Sequence, residues 1–100
     1  MMHVAIWRTA GPNWAQGTPM HQQPYWDEHA AFMDALFESG AVYLGGPFPD
    51  GGAMVIYSAQ SVEAAIDLQK DDPWLRHGIH ADAGAKEWTI LLDIREKETG

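Results

Sequence analysis

A tight turn near the middle of the chain separates two halves that repeat the same order of structural patterns. Residues 49–52 read Pro-Asp-Gly-Gly, which are residue types that favour β-turns. Apolar and other residues alternate on either side of this turn, over residues 41–46 and 53–59. Two alternating segments joined by a short turn predict a β-hairpin, and the rest of the chain must be built around it.

A helical pattern stands on each side of this predicted hairpin. Pro24 suits a first helical turn, where its missing N–H costs nothing, and Gly40 suits a helix end. Between them, apolar residues and one histidine, His29, recur every three or four positions and form a stripe. After the hairpin, a second and weaker stripe begins at Ser61, a good N-cap, and ends before Pro73.

Alternating patterns at both ends of the chain predict two outer strands, over residues 4–8 and 87–94, while residues 74–85 are expected to be irregular. The resulting order is β-α-β-β-α-β, the ferredoxin-like arrangement of the α+β class. It predicts a four-stranded antiparallel sheet with both helices on one face. The length of 100 residues fits a single domain, residues 1–100, in which 95–100 form a frayed tail.

The second face of the predicted sheet is also apolar. Large apolar patches are uncommon on the surfaces of monomers, so this face needs cover. We therefore expect a homodimer in which two sheets pack face to face. The residues assigned to this second face are Trp7, Tyr43, Val55, Tyr57 and Leu91.

The charge and composition exclude several classes of function. Fourteen acidic residues against six basic ones give a net charge of −8, which disfavours binding to nucleic acids and to anionic membranes. The chain has no cysteine, so disulfides and thiolate metal sites are excluded. No apolar run approaches the ~20 residues that span a bilayer, and the N-terminus lacks the features of a secretion signal. We expect a soluble cytoplasmic protein.

The loop over residues 9–23 is long for a small domain, and loops of this length are often functional. Trp14 and Met20 within it could fold over a pocket as a lid. They could equally cover the edge of the core. The sequence leaves both interpretations open.

His29 and two aspartates are the candidate site residues. His29 could act as a general acid or base, or it could be a histidine at the core edge that bonds to a backbone carbonyl. Asp50 could orient His29, but its role as a turn aspartate that caps its own backbone is a complete explanation by itself. Asp72, before Pro73, is most simply a residue that ends one helix and accepts backbone N–H bonds.

No metal or cofactor site is predicted. His77, His80 and Asp82 are spaced three and two residues apart, which without cysteine is weak evidence for metal ligands, and an exposed loop is the better interpretation. Nothing resembles a phosphate-binding loop, a nucleophile elbow or a haem motif.

The chain resembles the YCII-related domain family over nearly its whole length, about residues 3–92. The resemblance is carried by the order in which a set of residues occurs. The resemblance implies a dimeric α+β barrel with a cavity near His29 and Asp50, which match the family's His–Asp pair. Trp26 stands where many members have a basic residue. The matching residues are His29, Leu36, Gly40, Gly46, Pro47, Asp50, Gly52, Ser61, Glu63, Ala64, Ala65, Asp72, Pro73, Trp74, Gly78 and Ile79.

Known activities in this family are few, and they include a dehydrochlorinase of chloroaromatic breakdown. Relatives in the wider superfamily isomerise lactones or act as small oxygenases. We therefore expect a cofactor-independent enzyme that eliminates from or isomerises a small aromatic- or lactone-derived acid, with His29 and Asp50 as the acid–base pair. The alternative is a non-catalytic dimeric module that binds a metabolite. The residues expected to bind the small-molecule ligand are Trp7, Trp26, Gly46, Pro47 and Asp72.

Overall fold

Four antiparallel strands form one sheet in a computed structural model that describes residues 1–99, with the side chains of residues 1–96. The strands are β1 (Met2–Ala10), β2 (Val42–Pro47), β3 (Ala53–Ala59) and β4 (His80–Glu87). Their order across the sheet is β2-β3-β1-β4, which is the ferredoxin-like order. The predicted fold class is confirmed.

The helices connect and cover these strands on one face of the sheet. The α-helices are α1 (Trp26–Glu38), α2 (Val62–Gln69) and α3 (Pro73–Arg76), and short 3-10 helices span Met20–Gln22 and Ile94–Thr99. Within the described part of the chain, no helix is both long enough and apolar enough to cross a membrane.

Local chemistry explains where the helices begin and end. Tyr25 precedes α1 in a left-handed conformation, with φ of 62°, so Pro24 lies just outside this helix. Gly40, with φ of 86°, takes the left-handed conformation that ends α1. Ser61 caps α2 as predicted, because its hydroxyl accepts a hydrogen bond from the backbone N–H of Ala64 at 3.0 Å. Such a cap contributes about 1 kcal/mol.

The core lies between the helices and the inner face of the sheet. The register of β1 against β3 sets Val4 opposite Tyr57 and Ile6 opposite Val55, and all four side chains are buried. Residues that face each other across antiparallel strands share one face of the sheet. Val55 and Tyr57 therefore belong to the helix-covered core, and their predicted assignment to the second face was wrong.

The last strand is the second departure from the expected fold. β4 spans His80–Glu87, whereas the strand was predicted over residues 87–94. Only Glu87 is common to both, and residues 88–94 lie beyond β4, with Leu91 exposed. The reason is the length of β1: Val4 pairs with Glu87, so few residues of β1 remain to pair with later ones. The backbone N–H of Trp88 makes one further bond, to the carbonyl of His3.

Small residues let β4 fit against β1. The Trp7 indole lies over Gly84, where a Cβ atom would overlap the ring. This contact lies on the second face of the sheet, together with Tyr43, whose ring centroid is 4.5 Å from that of His3. The second face thus carries Trp7 and Tyr43, as predicted, but not Val55 or Tyr57.

Candidate functional site

A cavity of about 900 Å³ opens at the end of the domain where α1 begins. The long loop, α1, the end of β2 and the hairpin turn form its walls, with Trp74 and His80 contributing from the far side. This volume suits a small organic molecule. Besides Tyr43, whose ring lies against His3 on the second face, the aromatic residues of the lining are Trp14, Trp26, Phe37, Phe48 and Trp74.

His29 lines this cavity from the start of α1 and is paired with Asp72. Its Nδ1 lies 2.9 and 3.0 Å from the two carboxylate oxygens of Asp72, which is fully buried behind it. An ionised carboxylate accepts only, so Nδ1 carries the proton and donates. In the neutral imidazole, Nε2 on the other edge of the ring from Asp72 then holds the lone pair that a general base needs.

Asp72 is held in place by three donors. Besides His29, it accepts the backbone N–H of Trp74 at 3.0 Å, as the N-cap of α3, and Nη1 of Arg8 at 2.7 Å. Burial by itself would raise the pKa of Asp72. The hydrogen bond from His29 and the positive charge of Arg8 outweigh burial, so the pKa of Asp72 is lowered and it stays a carboxylate.

Arg8 connects this pair to a buried polar network. Arg8 is only 3% exposed as a whole residue, and its Nη2 donates to Oε1 of Gln69 at 2.9 Å. Gln69 also accepts the hydroxyl of Tyr57 at 3.1 Å and donates to Asp82 at 2.7 Å. Burial raises the pKa of Tyr57 to about 12, so its phenol remains neutral.

His80 is a second histidine in the cavity wall, but both of its ring nitrogens are already bonded. Nε2 donates to the carbonyl of Gly51 at 2.9 Å, and Nδ1 accepts from Nη1 of Arg8 at 3.4 Å. Burial and the neighbouring charge of Arg8 lower the pKa of His80 to about 4. His80 is therefore neutral near pH 7 and ties the hairpin turn to Arg8.

The loop that was predicted over residues 9–23 begins only after β1, at residue 11. It forms a wall of the cavity and is fixed by hydrogen bonds. The side chain of Gln23 bonds to both backbone groups of Ala15 and to the carbonyl of Thr18, at 2.8–2.9 Å. Trp14 and Met20 line the cavity, so they belong to the site.

The predicted pairing of His29 with Asp50 needs correction. Oδ1 of Asp50 accepts the backbone N–H of Gly52 at 2.9 Å, which is a turn contact, and the carboxylate partner of His29 is Asp72. Asp50 does line the cavity, but Asp72 is brought to His29 because its helix, α3, packs against the start of α1: Nε1 of Trp74 donates to the carbonyl of Pro24.

The predicted ligand-binding residues divide into three groups. Trp26, Gly46 and Pro47 line the cavity. Asp72 lies behind His29, as its partner, rather than in the cavity wall. Trp7 lies on the second face of the sheet against Gly84 and is not among the residues that line this cavity.

Arg8 is the site residue that sequence reasoning missed. The strand pattern places it on the same face as Val4 and Ile6, and a charged residue on a buried face requires an opposite charge. That requirement was the available signal for a carboxylate partner.

Among the described side chains, no group of three or more His, Asp or Glu is placed to hold a metal ion.

Comparisons with known proteins extend over almost the whole chain. The sequence model of the YCII-related domain matches residues 2–89. One similar solved structure is 5-chloro-2-hydroxyhydroquinone dehydrochlorinase (TftG) from Burkholderia phenoliruptrix AC1100, in complex with 2,5-dihydroxybenzoquinone. It is 22% identical, with 88% of this chain and 94% of that chain covered and a TM-score of 0.59, a likeness of fold. A search of curated protein sequences found no match.

Proposed function

The chain belongs to the YCII-related domain family, and from this premise we propose that it is a small-molecule enzyme whose His29–Asp72 pair moves a proton. The carrying observation is the hydrogen bond of 2.9 Å between Nδ1 of His29 and the buried Asp72, made by a histidine that lines the cavity. This pairing supports acid–base catalysis by His29, a type of catalysis that requires neither a nucleophilic side chain nor a cofactor.

The proposed reaction is an elimination or an isomerisation. Nε2 of His29 takes a proton from a carbon or oxygen of the substrate, and the electron pair left behind forms a double bond. In an elimination, a leaving group departs with its own bonding electrons. In an isomerisation, the same imidazolium returns the proton to another atom. Asp72 stabilises the imidazolium in both cases, because the carboxylate lies against Nδ1–H.

Two further observations support this reaction class. The aromatic walls of the cavity suit a flat ring, such as that of a small aromatic- or lactone-derived acid. The solved relative is named as a dehydrochlorinase of a chlorinated hydroxyhydroquinone, which is an elimination on such a ring.

We also propose that the enzyme is a cytoplasmic homodimer. Trp7 and Tyr43, which are half-buried on the second sheet face, support a partner subunit there. The lack of cysteine suits a reducing compartment.

The experiment is a screen of chlorinated hydroxyhydroquinones and small unsaturated lactones. Turnover is followed by chloride release and by ultraviolet absorbance, and binding by thermal shift. His29→Ala is expected to lower turnover at least about 100-fold, because a positioned base contributes that much. The matched control is His77→Ala, since His77 is an exposed histidine that stacks on Tyr25. Ligands that bind wild type and His29→Ala equally, without turnover, would instead identify a binding module.

A further inference from the structure

We infer that Arg8 is a positioning residue for the His29–Asp72 pair, and that its buried charge keeps Nε2 of His29 free of a proton. The inference rests on the proposed role of His29 as the base. Arg8 contributes to the cavity lining with only 2% of its side chain exposed. Its proposed effect on the base is exerted through Asp72 and not through contact with the substrate's reacting atoms.

The contacts of Arg8 point toward the pair rather than toward solvent. Its guanidinium bonds to Oδ2 of Asp72 at 2.7 Å, and both side chains are at most 2% exposed. The same Nη1 reaches Nδ1 of His80, and Nη2 reaches Gln69. Nε of Arg8 is buried without a hydrogen-bond partner, 3.9 Å from Asp82. Leaving a buried donor unsatisfied is costly, so a role in packing alone explains this arginine poorly.

The two fully buried charges beside His29 balance each other when the imidazole is neutral. Arg8 on β1 is positive and Asp72 before α3 is negative, and these are the two fully buried charges of the network. From β4, His80 is neutral and the carboxylate of Asp82 is 43% exposed to solvent. Gln69 on α2 and the phenol of Tyr57 on β3 add no charge. Neutral His29 therefore leaves the buried charges of Arg8 and Asp72 balanced. The remaining carboxylates near the cavity, those of Asp82, Asp34 and Asp50, are exposed to solvent, which screens their charge.

Loss of the Arg8 charge would upset this balance in a predictable direction. A buried carboxylate without a counter-ion is strongly disfavoured, and the usual response is to take up a proton. The proton can go to Nε2 of His29, which makes an imidazolium. It can also go to Asp72, which then donates to Nδ1 and moves the imidazole proton to Nε2. Both outcomes occupy the lone pair that the proposed base needs.

A purely structural role for Arg8 makes a different prediction. If the guanidinium only holds Asp72 and Gln69 in place, its loss would lower stability, yet any folded molecules would keep Nε2 unprotonated. The charge and the hydrogen bonds can be separated, because Arg8→Lys keeps the charge. Gln69→Met is the matched control: it removes a second partner of the guanidinium and leaves every charge in place.

The test is long-range ¹H–¹⁵N NMR of the histidine rings in ¹⁵N-labelled protein at pH 7.5. Wild type, Arg8→Lys and Gln69→Met are expected to show His29 with a proton on Nδ1 and none on Nε2. Arg8→Met is expected to show Nε2 protonated in more than half of the molecules. Where Arg8→Met does not fold, Arg8→Gln keeps a hydrogen-bond donor without the charge and tests the same point.

Two results would overturn the inference: folded Arg8→Met or Arg8→Gln with an unprotonated Nε2, or wild type with a protonated Nε2 at pH 7.5. Neither result depends on turnover. The inference is supported if Nε2 is unprotonated in wild type and protonated in Arg8→Met or Arg8→Gln. A substrate screen without turnover would count against the proposed enzyme, but it would leave this result unchanged.

Discussion

The imidazole of His29 lies parallel to the indole of Trp74, with the ring centroids 3.9 Å apart and the planes 3° apart. The indole is itself fixed, because its Nε1 donates to the carbonyl of Pro24 at 2.8 Å. Asp72 sets the direction of His29 within the ring plane, and Trp74 sets the plane. One four-residue helix, α3, therefore supplies both constraints, through its N-cap and its second residue.

Trp74→Leu is expected to lower turnover by about 10- to 100-fold, because the imidazole loses the surface that fixes its plane. Trp74→Phe keeps an aromatic face and should retain more activity. Both changes open a cavity in the core, so Trp74→Leu should also lose roughly 3 kcal/mol of stability in urea titrations. Trp88→Leu is the control, since Trp88 is partly exposed and does not line the cavity. Full activity in folded Trp74→Leu would contradict this view of the stack.

Replacing Asp72 and replacing Asp50 should affect stability and turnover very differently. Asp72→Asn leaves Arg8 buried without its counter-ion, so we expect a loss of about 3–5 kcal/mol in unfolding free energy and a loss of turnover. Asp50→Asn should be nearly silent in both measurements, because asparagine also suits this turn. A severe loss of turnover in Asp50→Asn with wild-type stability would restore Asp50 to a functional role.

The parts of the fold set by local chemistry could be predicted from the sequence. The turn at residues 49–52 and the alternation after it predicted β3 at its observed bounds, Ala53–Ala59. Ser61 predicted the start of α2. β4 could not be found this way: it is an edge strand of small and polar residues, with no apolar alternation of its own, and its position depends on the register of β1.

The site was predicted in part, for a similar reason. His29 follows from the helical pattern and the family resemblance, and it does line the cavity. Its partner, Asp72, is 43 residues away in sequence, and only the packing of α3 against the start of α1 brings the two together. Asp50 satisfied the sequence argument equally well because it sits at the same end of the domain and also lines the cavity.

The stability of the protein should fall between pH 6.5 and pH 4 because of His80. Its pKa in the folded chain is about 4, below the ordinary value of 6.5, so in this range the unfolded chain binds a proton that the folded chain does not. The contribution of neutral His80 to the free energy of unfolding is fully present above pH 6.5 and is lost as the pH falls to about 4. This contribution is at most about 3 kcal/mol.

Urea titrations at pH 7.5 and pH 4.5 measure this effect. His80→Gln should be less stable than wild type at pH 7.5, because it loses the bond to Gly51, but its stability should change less between the two pH values. His21→Gln, at an exposed histidine, should keep the full pH dependence. An equal change in wild type and His80→Gln would show that other groups cause it.

The homodimer should depend on the second sheet face rather than on the core. A charge at Val55 cannot test this, because Val55 is packed under the helices and its replacement would disrupt the monomer. Trp7 is on the correct face, so we expect Trp7→Glu to weaken the dimer. Light scattering should give about twice the chain mass of 11.1 kDa for wild type and a lower mass for Trp7→Glu. Ile66→Glu, on the exposed side of α2, should remain dimeric. A monomeric wild type at micromolar concentration would refute the proposed assembly.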